Sequence, residues 1–370
     1  MRALGIILAG GKNARLGILT SNRAVGAMPV AGSYRAIDFA ISNMRNSGVK
    51  KVAVITQYNS RSLIEHLSSS KWWDFGRKHG GLFVFTPYQT SESSLWYRGT
   101  ADAINQNIDF LKNSHEPYAV IIQGDGVVKI DFNQVLQHHI EKRADITIVC
   151  KSMPEGAELN RFGVVELNED GRVVEFEEKP IEAVSRVVST GMYIIRRRLL
   201  IELLEDIAHE GRHDFVADII IRYRKQKKVY AYLLDGYWQS ISDLPSYYKT
   251  NMDFLQKDIR DQFLREVPSI MSKVEDEPPA KFNEGSLVSN ALCSNGCIIN
   301  GEVANSLLFR KVFVGRGTIV KNSIVLDGTY IGEGCYIENA IIESHCNIKD
   351  GSVIKGTESQ IEVVRERLSY

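Results

Sequence analysis

Two glycines and an arginine near the start of the chain have the spacing of a phosphate-binding loop. Gly10 and Gly11 directly follow an apolar run rich in branched residues (residues 3–8), and Arg15 comes five positions after the first of them. Unpaired amides between a buried strand and a helix form a concave anion site, and an arginine there can neutralise phosphate charge. A plain strand-to-turn junction is the alternative, since the segment matches neither G-x-G-x-x-G nor G-x-x-x-x-G-K-[ST]. The two glycines alone do not separate these interpretations.

Charged side chains end two later predicted strands. Asp125 closes the apolar run AVIIQGD. One carboxylate beside substrate phosphates suits Mg²⁺, and a helix N-cap is the alternative role. An Asp-Gly hairpin turn at 170–171 precedes a strand that ends in Glu178 and Lys179, which could hold a sugar phosphate or form a solvated surface run. A phosphate loop in the same sheet favours the metal role for Asp125.

The elements that position these residues are predicted strands of one sheet. Short branched runs at 52–58, 119–125 and 144–150 each follow an amphipathic segment, an alternation typical of βαβ units. Ligands bind at the carboxyl ends of such strands, where Gln57 and Gly124 also lie. The sequence therefore predicts an α/β fold with a mostly parallel sheet.

The last quarter of the chain has a different period. A charged segment with prolines (256–285) is predicted as a linker between a first domain, 1–255, and a second, 286–370. In the second domain branched residues recur every six positions, which suits the flat faces of a triangular parallel β-helix. The predicted core positions are Leu292, Ile298, Ile319, Val325, Ile331 and Ile337 and, after a one-residue slip, Ile342, Ile348 and Ile354.

Composition narrows the class of ligand. The 370 residues contain 45 Lys plus Arg and 45 Asp plus Glu, so no global charge favours nucleic acid or an anionic membrane. No apolar run approaches the roughly 20 residues that span a bilayer, and a cytoplasmic location is expected. The five cysteines do not suggest a disulfide framework. The ligand is expected to be small and locally bound.

Taken together, the motifs resemble those of the ADP-glucose pyrophosphorylases (glucose-1-phosphate adenylyltransferases) of bacterial glycogen synthesis. In chain order they are AGGKNARLGILT, GSYRAIDF, ITQY, WYRGTADAI, QGD, RFGVVELNEDGRVVEFEEKP, GMYI and GYW, followed by the hexad region. The resemblance implies a Rossmann-like nucleotidyltransferase domain, a C-terminal left-handed parallel β-helix and a tetramer. It also implies a Mg²⁺-dependent reaction of ATP with glucose 1-phosphate that yields ADP-glucose and pyrophosphate.

The resemblance also implies roles for individual residues. Arg15 and Asp125 match catalytic positions, and Asp125 also matches a metal ligand. The nucleotide-binding matches are Leu8, Gly10, Gly11, Gln57, Tyr97, Gly99 and Asp125; the sugar-phosphate matches are Glu178, Lys179, Ser189, Asp214 and Trp238; the effector matches are Arg23 and Arg35.

The chain departs from the family pattern where charge is needed. In the family's GGxGTRL loop a glycine and a threonine are replaced by Asn13 and Ala14, and the lysine that meets the transferring phosphates is replaced by Val25. The second metal-binding aspartate is Ser240 here. A cation so placed is typically worth several kcal/mol of the barrier, so these losses predict weak catalysis.

These departures favour a GlgD-type regulatory or structural subunit that assembles with a catalytic GlgC-type subunit, in a heterotetramer or homo-oligomer. ATP, glucose 1-phosphate or a phosphorylated effector could still bind. The first alternative is an active adenylyltransferase in which Lys12 and Arg15 replace the missing cations. An acyltransferase that uses His345 on the β-helix is a more remote alternative.

Overall fold

The computed structural model describes residues 1–76, 80–88 and 96–365. Its contacts group the chain into two compact units, one of residues 1–12 with 39–238 and one of residues 13–38 with the chain from 239 onward. The predicted division between the two domains was at residue 255. The early segment groups with the second unit because it makes contacts there: the Asn251 side chain, for example, accepts a hydrogen bond from the Ala31 amide at 3.0 Å.

The strands before residue 241 are β1 (Ala3–Leu8), β2 (Pro29–Val30), β3 (Tyr34–Arg35), β4 (Lys51–Ile55), β5 (Gly81–Phe85), β6 (Tyr118–Gln123), β7 (Gly126–Val128), β8 (Ile146–Ser152), β9 (Gly163–Leu167), β10 (Val173–Glu178), β11 (Val187–Arg196), β12 (Val229–Leu233) and β13 (Trp238–Ser240). The first unit is built on a mixed sheet of nine of these strands among the described residues, in the order β10-β9-β11-β6-β1-β4-β5, with β8 beside β11 and β12 beside β8. Strands β6, β1, β4 and β5 run parallel, as predicted, and β11 is antiparallel to its neighbours.

Helices flank the sheet where the sequence has amphipathic segments. The amphipathic segment before the branched run at 52–58, for example, is helix α1 (Ala36–Asn46). The α-helices are α1 (Ala36–Asn46), α2 (Arg61–His66), α3 (Thr100–Asn105), α4 (Ile108–Lys112), α5 (Phe132–Glu141), α6 (Arg197–His209), α7 (Leu244–Asp253) and α8 (Lys257–Leu264), with a π-helix at Val216–Ile221 and 3-10 helices at Ala14–Thr20, Val25–Ala27 and Ser70–Trp73. Among the residues with described structure, no helix is both long enough and apolar enough to cross a bilayer.

The sheet register brings the predicted site residues to one edge. All six residues of β1 are buried, and Leu8 at its end pairs with Ile55 of β4 and Gln123 of β6. The Gly124 amide then donates to the Leu8 carbonyl at 2.9 Å. The carboxyl ends of β1, β4 and β6 therefore lie side by side.

The second unit contains a parallel β-helix, consistent with the left-handed type. Its core positions step by 6, 6 and 5 residues, so a coil has 17 residues: Val320 stacks on Val303 and Ile337 on Val320. The strict six-residue prediction is wrong where it assigned Ile298 and Ile319, because their neighbours Ile299 and Val320 are the fully buried residues. Leu292 is likewise half-exposed. The strands are β14 (Lys281–Phe282), β15 (Leu287–Cys293), β16 (Ile298–Ile299), β17 (Glu302–Leu308), β18 (Phe313–Val314), β19 (Ile319–Lys321), β20 (Ile324–Val325), β21 (Tyr330–Ile331), β22 (Tyr336–Glu338), β23 (Ala340–Ile342), β24 (Asn347–Ile348), β25 (Val353–Lys355) and β26 (Glu362–Val364).

A column of asparagines explains the five-residue step. Asn290, Asn305, Asn322 and Asn339 all adopt a left-handed backbone, with φ between 43° and 49°. Asparagine tolerates this conformation better than most residues, and it turns the chain sharply. The Asn290 amide donates to Asn305 at 2.8 Å, and Asn305 donates to Asn322 at 2.7 Å. The one-residue slip seen in the sequence is therefore a corner repeated in every coil.

The segment 256–285, predicted as a linker, contains ordered structure. Helix α8 occupies its start, and Phe263 on that helix is fully buried against Phe254, with ring centroids 5.5 Å apart. Ile270 is also buried. These buried apolar side chains anchor a segment that its charged residues and prolines had predicted to be a linker.

Candidate active site

The glycine loop lies at the carboxyl edge of the sheet with room beside it. A Cβ on Gly10 would reach ordinary contact distance from Gln57, and none of the described atoms lies within 4 Å of a Cβ on Gly11. Neither glycine has a positive φ. Neither packing nor backbone conformation in the described structure therefore requires glycine at these two positions.

Gln57 holds the backbone of the next segment at this edge. Its amide oxygen accepts from the Tyr97 amide at 3.0 Å, and its amide nitrogen donates to the Tyr97 carbonyl at 3.2 Å. Tyr97 is buried and its hydroxyl accepts from Asn107 at 3.0 Å. The neighbouring Trp96 is 62% exposed and stacks on Tyr58 with centroids 6.0 Å apart. Gln57 is thus a positioning residue, and the exposed ring is available for stacking.

Gly99 and Asp214 serve the packing of two helices. A Cβ on Gly99 would collide with the His213 carbonyl, and the same carbonyl accepts from the Ala101 amide at 2.9 Å. The Asp214 carboxylate accepts from the Ala217 amide at 2.7 Å, which is a helix-capping role. The other carboxylate oxygen of Asp214 lies 3.5 Å from the Thr100 hydroxyl.

Tyr193, which was not predicted, lies beside one of the predicted sugar-side residues. The Ser189 hydroxyl is 3.3 Å from the Tyr193 hydroxyl, and both residues are buried. Burial raises the pKa of Tyr193, and the charges of Glu178 and Asp214 raise it further. Tyr193 belongs to the GMYI motif, so its position in a recognised motif was the signal that could have identified it.

Lys179 and Trp238 are connected through Phe162. The Lys179 amide donates to the Phe162 carbonyl at 3.0 Å, and the Phe162 ring lies 5.3 Å from the buried Trp238 ring. Lys179 has φ of 53° and its ammonium lies 3.4 Å from the Glu178 carboxylate. A positive φ is uncommon for a residue other than glycine, and the residues that adopt it are concentrated at functional sites.

Asp125 follows β6 with part of its surface accessible. Burial raises the pKa of its carboxyl from 3.8 to about 6. Among residues 1–76, 80–88 and 96–365, no group of three or more His, Cys, Asp or Glu has the arrangement of a metal site. The resemblance matches Ser240 to the family's second metal-binding aspartate, so the sequence supplies only one carboxylate of that pair and does not fit a two-aspartate magnesium site.

In the second unit, Asn13 occupies the loop position of the family glycine. Its side-chain oxygen accepts from the Arg15 amide at 3.0 Å, and its side-chain nitrogen donates to the Ser242 carbonyl at 2.8 Å. The Arg15 amide therefore already has an acceptor in the Asn13 side chain. The Arg15 side chain is exposed.

The remaining predicted residues of the second unit have different surroundings. Val25 is only 9% exposed, within a short 3-10 helix, and Ser240 is half-buried at the end of β13. Arg23 forms an ion pair of 2.6 Å with Glu343 in the wall of a cavity of about 380 Å³. Arg35 is absent from that wall, and burial lowers its pKa while Asp38 opposes the shift. Glu343, Ser21 and Arg365, which also line the cavity, were not predicted as site residues. His345, which the sequence offered only as an acyltransferase residue, lies in the same wall.

Comparisons with known proteins identify the family of the chain. The nucleotidyl transferase family model matches residues 4–257, and the model of the GlmU-like C-terminal hexapeptide matches residues 278–366. A glucose-1-phosphate adenylyltransferase of Thermosipho melanesiensis is 39% identical over 86% of this chain and 77% of its own length. That of Geobacillus stearothermophilus is 37% identical over 86% and 83%, and that of Bacillus mycoides is 38% identical over 98% and 97%.

Proposed function

Because this chain belongs to the glucose-1-phosphate adenylyltransferase family of nucleotidyl transferases, we propose that it is a regulatory subunit of that enzyme in glycogen biosynthesis. A catalytic subunit of the same family assembles with it, in a cytoplasmic heterotetramer. The partner converts ATP and glucose 1-phosphate to ADP-glucose and pyrophosphate with Mg²⁺. This chain alone performs the reaction at most slowly.

Val25 is the observation that carries the proposal. The family pattern has a lysine where this chain has a buried valine, and an apolar side chain cannot stabilise charge that develops on a transferring phosphoryl group. Phosphoryl transfer depends almost entirely on positioning and electrostatic stabilisation. The loss of this cation therefore weakens catalysis more than it weakens binding.

Two further features support the proposal. Asn13 bonds the Arg15 amide, so that this N–H is not available to a phosphate. The family pattern has a second metal-binding aspartate where this chain has Ser240, so the chain offers Mg²⁺ one carboxylate of that pair, Asp125. Mg²⁺ binding by this chain is accordingly expected to be weak.

A regulatory role also requires ligand binding. The residues around Tyr193 provide hydrogen-bonding groups suited to the sugar of glucose 1-phosphate. The cavity beside Arg23 carries Arg365 and His345, side chains that suit a phosphorylated effector. Arg365 bonds the Ser21 hydroxyl at 2.6 Å, which orients its guanidinium.

The test compares the lone chain, a catalytic subunit of the family, and their equimolar mixture. Pyrophosphate release from ATP and glucose 1-phosphate should be about a hundredfold slower for the lone chain than for the mixture. The mixture should elute as one peak in size-exclusion chromatography. Equal turnover by the lone, folded chain, or two separate peaks at micromolar concentration, would contradict the proposal.

An active adenylyltransferase is the second candidate. The named relatives are all glucose-1-phosphate adenylyltransferases, and both Lys12 and Arg15 are exposed cations in the loop. If these two cations replace the missing lysine, the lone chain should be active, and Lys12→Gln with Arg15→Gln should abolish that activity. A rate already at the background level would leave this candidate without support.

A further inference from the structure

A cavity of about 570 Å³ opens in the first unit, at the edge of the sheet opposite Gly10 and Asp125. Tyr118, which begins β6, and Arg196, which ends the antiparallel β11, pair in register and both line it. We propose that this cavity binds the phosphate group of a small molecule. The proposed site is separate from the candidate active site and does not depend on the regulatory role.

The wall of the cavity has an excess of positive charge. Four cationic side chains line it against two carboxylates: Arg196, Arg197, Arg198 and Lys227 against Asp145 and Glu202. Asp145 is already used, because it forms an ion pair with Arg196 and accepts from the Lys228 amide at 2.8 Å. Glu202 lies 3.9 Å from Lys227. Two positive charges therefore have no counter-charge in the wall.

Two of the arginines, Arg197 and Arg198, form no ion pair with a carboxylate among the described residues. The Arg197 guanidinium donates to the carbonyls of Glu116 at 2.7 Å and Leu111 at 2.8 Å, which orients it but leaves its charge uncompensated. Arg198 is exposed and its side chain makes no hydrogen bond or ion pair within the described chain. Adjacent like charges repel, and a bound anion would relieve that repulsion.

The start of α6 adds to the positive potential. Its first turn contains no acidic residue, and Arg196 at the N-cap provides no side-chain acceptor. Cations at a helix N-terminus oppose the helix dipole, so three consecutive arginines there are unfavourable unless an anion is present.

A buried polar atom lies next to the same wall. His139 is 1% exposed, and its ring meets Tyr118 edge-on with centroids 5.5 Å apart. Its Nδ1 lies 2.8 Å from the Thr147 hydroxyl, whereas its Nε2 has no partner among the described residues. Such orphaned atoms are rare in proteins and often mark sites where a water or ligand is missing.

The size and chemistry of the cavity favour a small phosphate compound. Its volume lies in the range of roughly 300–1,000 Å³ that is usual for small-molecule sites. The planar fork of arginine matches the oxygens of a phosphate group in pairs. Free phosphate and a phosphate ester share this chemistry.

The experiment is a calorimetric titration of the full chain, without nucleotide, with inorganic phosphate and with glycerol 3-phosphate. Arg198→Gln and Lys227→Gln should each weaken binding about tenfold. Arg316→Gln is the matched control, because Arg316 is an exposed arginine of the second unit whose side chain has no described partner. Repeating the series in an Arg23→Gln background removes the contribution of the other cationic cavity.

Tighter binding of the ester than of phosphate would assign the site to an organic phosphate, and equal binding would assign it to the free ion. The proposal is overturned if neither Arg198→Gln nor Lys227→Gln changes the affinity, or if Arg316→Gln changes it as much. It is also overturned if an oligoglutamate peptide, but neither phosphate compound, binds in a manner that depends on Arg198. Activity of the lone chain would contradict the regulatory role and leave this result unaffected.

Discussion

The predicted sugar-binding residues (the sugar side) and the predicted phosphate-binding residues (the phosphate side) differ in the chemistry that they retain. On the sugar side, Glu178, Ser189 and Tyr193 keep groups that can hydrogen-bond a sugar. On the phosphate side, Val25 is apolar and buried, and Asn13 occupies a loop amide with its own side chain. Binding and catalysis use different parts of such a site, so one can persist while the other is lost.

Restoring the phosphate side tests this contrast with the largest expected effect. Val25→Lys combined with Ser240→Asp returns the cation and the second carboxylate, and should raise pyrophosphate release by the lone chain about a hundredfold. The single variants should give much smaller gains, because the two groups act together. If the double variant were no faster than the original chain, the missing lysine and aspartate would not be the cause of the low activity expected of the lone chain.

The ionisation of Asp125, a residue of the phosphate side, can be measured through protein stability and does not require catalytic turnover. Its folded-state pKa of about 6 lies above the unfolded value of 3.8, so the folded protein keeps a proton that the unfolded chain loses. Stability should therefore fall as pH rises from about 4 to about 6. Asp125→Asn should remove this fall and, at pH 7, raise the free energy of unfolding by about 2 kcal/mol, a figure reduced for partial exposure.

The control for that measurement is Asp276→Asn, since Asp276 is exposed. Urea unfolding at pH 4 and pH 7 gives both free energies. A difference between Asp125→Asn and the original chain that is the same at both pH values would rule out the titration of Asp125 as its cause.

On the sugar side, Glu178→Gln should weaken glucose 1-phosphate binding about tenfold and leave ATP binding unchanged. The reason is that a carboxylate accepts stronger hydrogen bonds from sugar hydroxyls than an amide does. Glu169→Gln is the matched control, an exposed glutamate in the hairpin turn. Calorimetric titration of both variants would disprove the sugar role of Glu178 if the two gave the same affinity.

The smallest expected effect concerns Gln57, which positions the backbone of Tyr97 among the predicted nucleotide-binding residues. Gln57→Ala removes two hydrogen bonds to the Tyr97 backbone and should lower the free energy of unfolding by about 1 kcal/mol. Gln226→Ala, at an exposed glutamine, should change it much less. If urea denaturation gave the same free energy of unfolding for both variants, the hydrogen bonds from Gln57 to the Tyr97 backbone would contribute nothing to stability.

The sequence by itself determined where the parallel strands end and which residue types follow them. The glycine pair, Gln57 and Asp125 were predicted at the carboxyl ends of parallel strands, and the register of β1, β4 and β6 confirms that placement. Buried parallel strands have a strong local signal, because branched residues must fill both faces. The replacement of a lysine by Val25 is likewise visible without coordinates.

Tertiary structure alone decided how those residues are used. Asn13 bonds Ser242 across 229 positions of sequence, and the basic cavity joins residues from 115 to 227. Even in the regular β-helix, the core positions could be assigned only from the structure. One side of each coil has five residues, because an asparagine turns the chain there. The physical reason is that hydrophobic periodicity is a local property, whereas hydrogen-bond partners, burial and the balance of charge depend on which distant segments the folded chain places side by side.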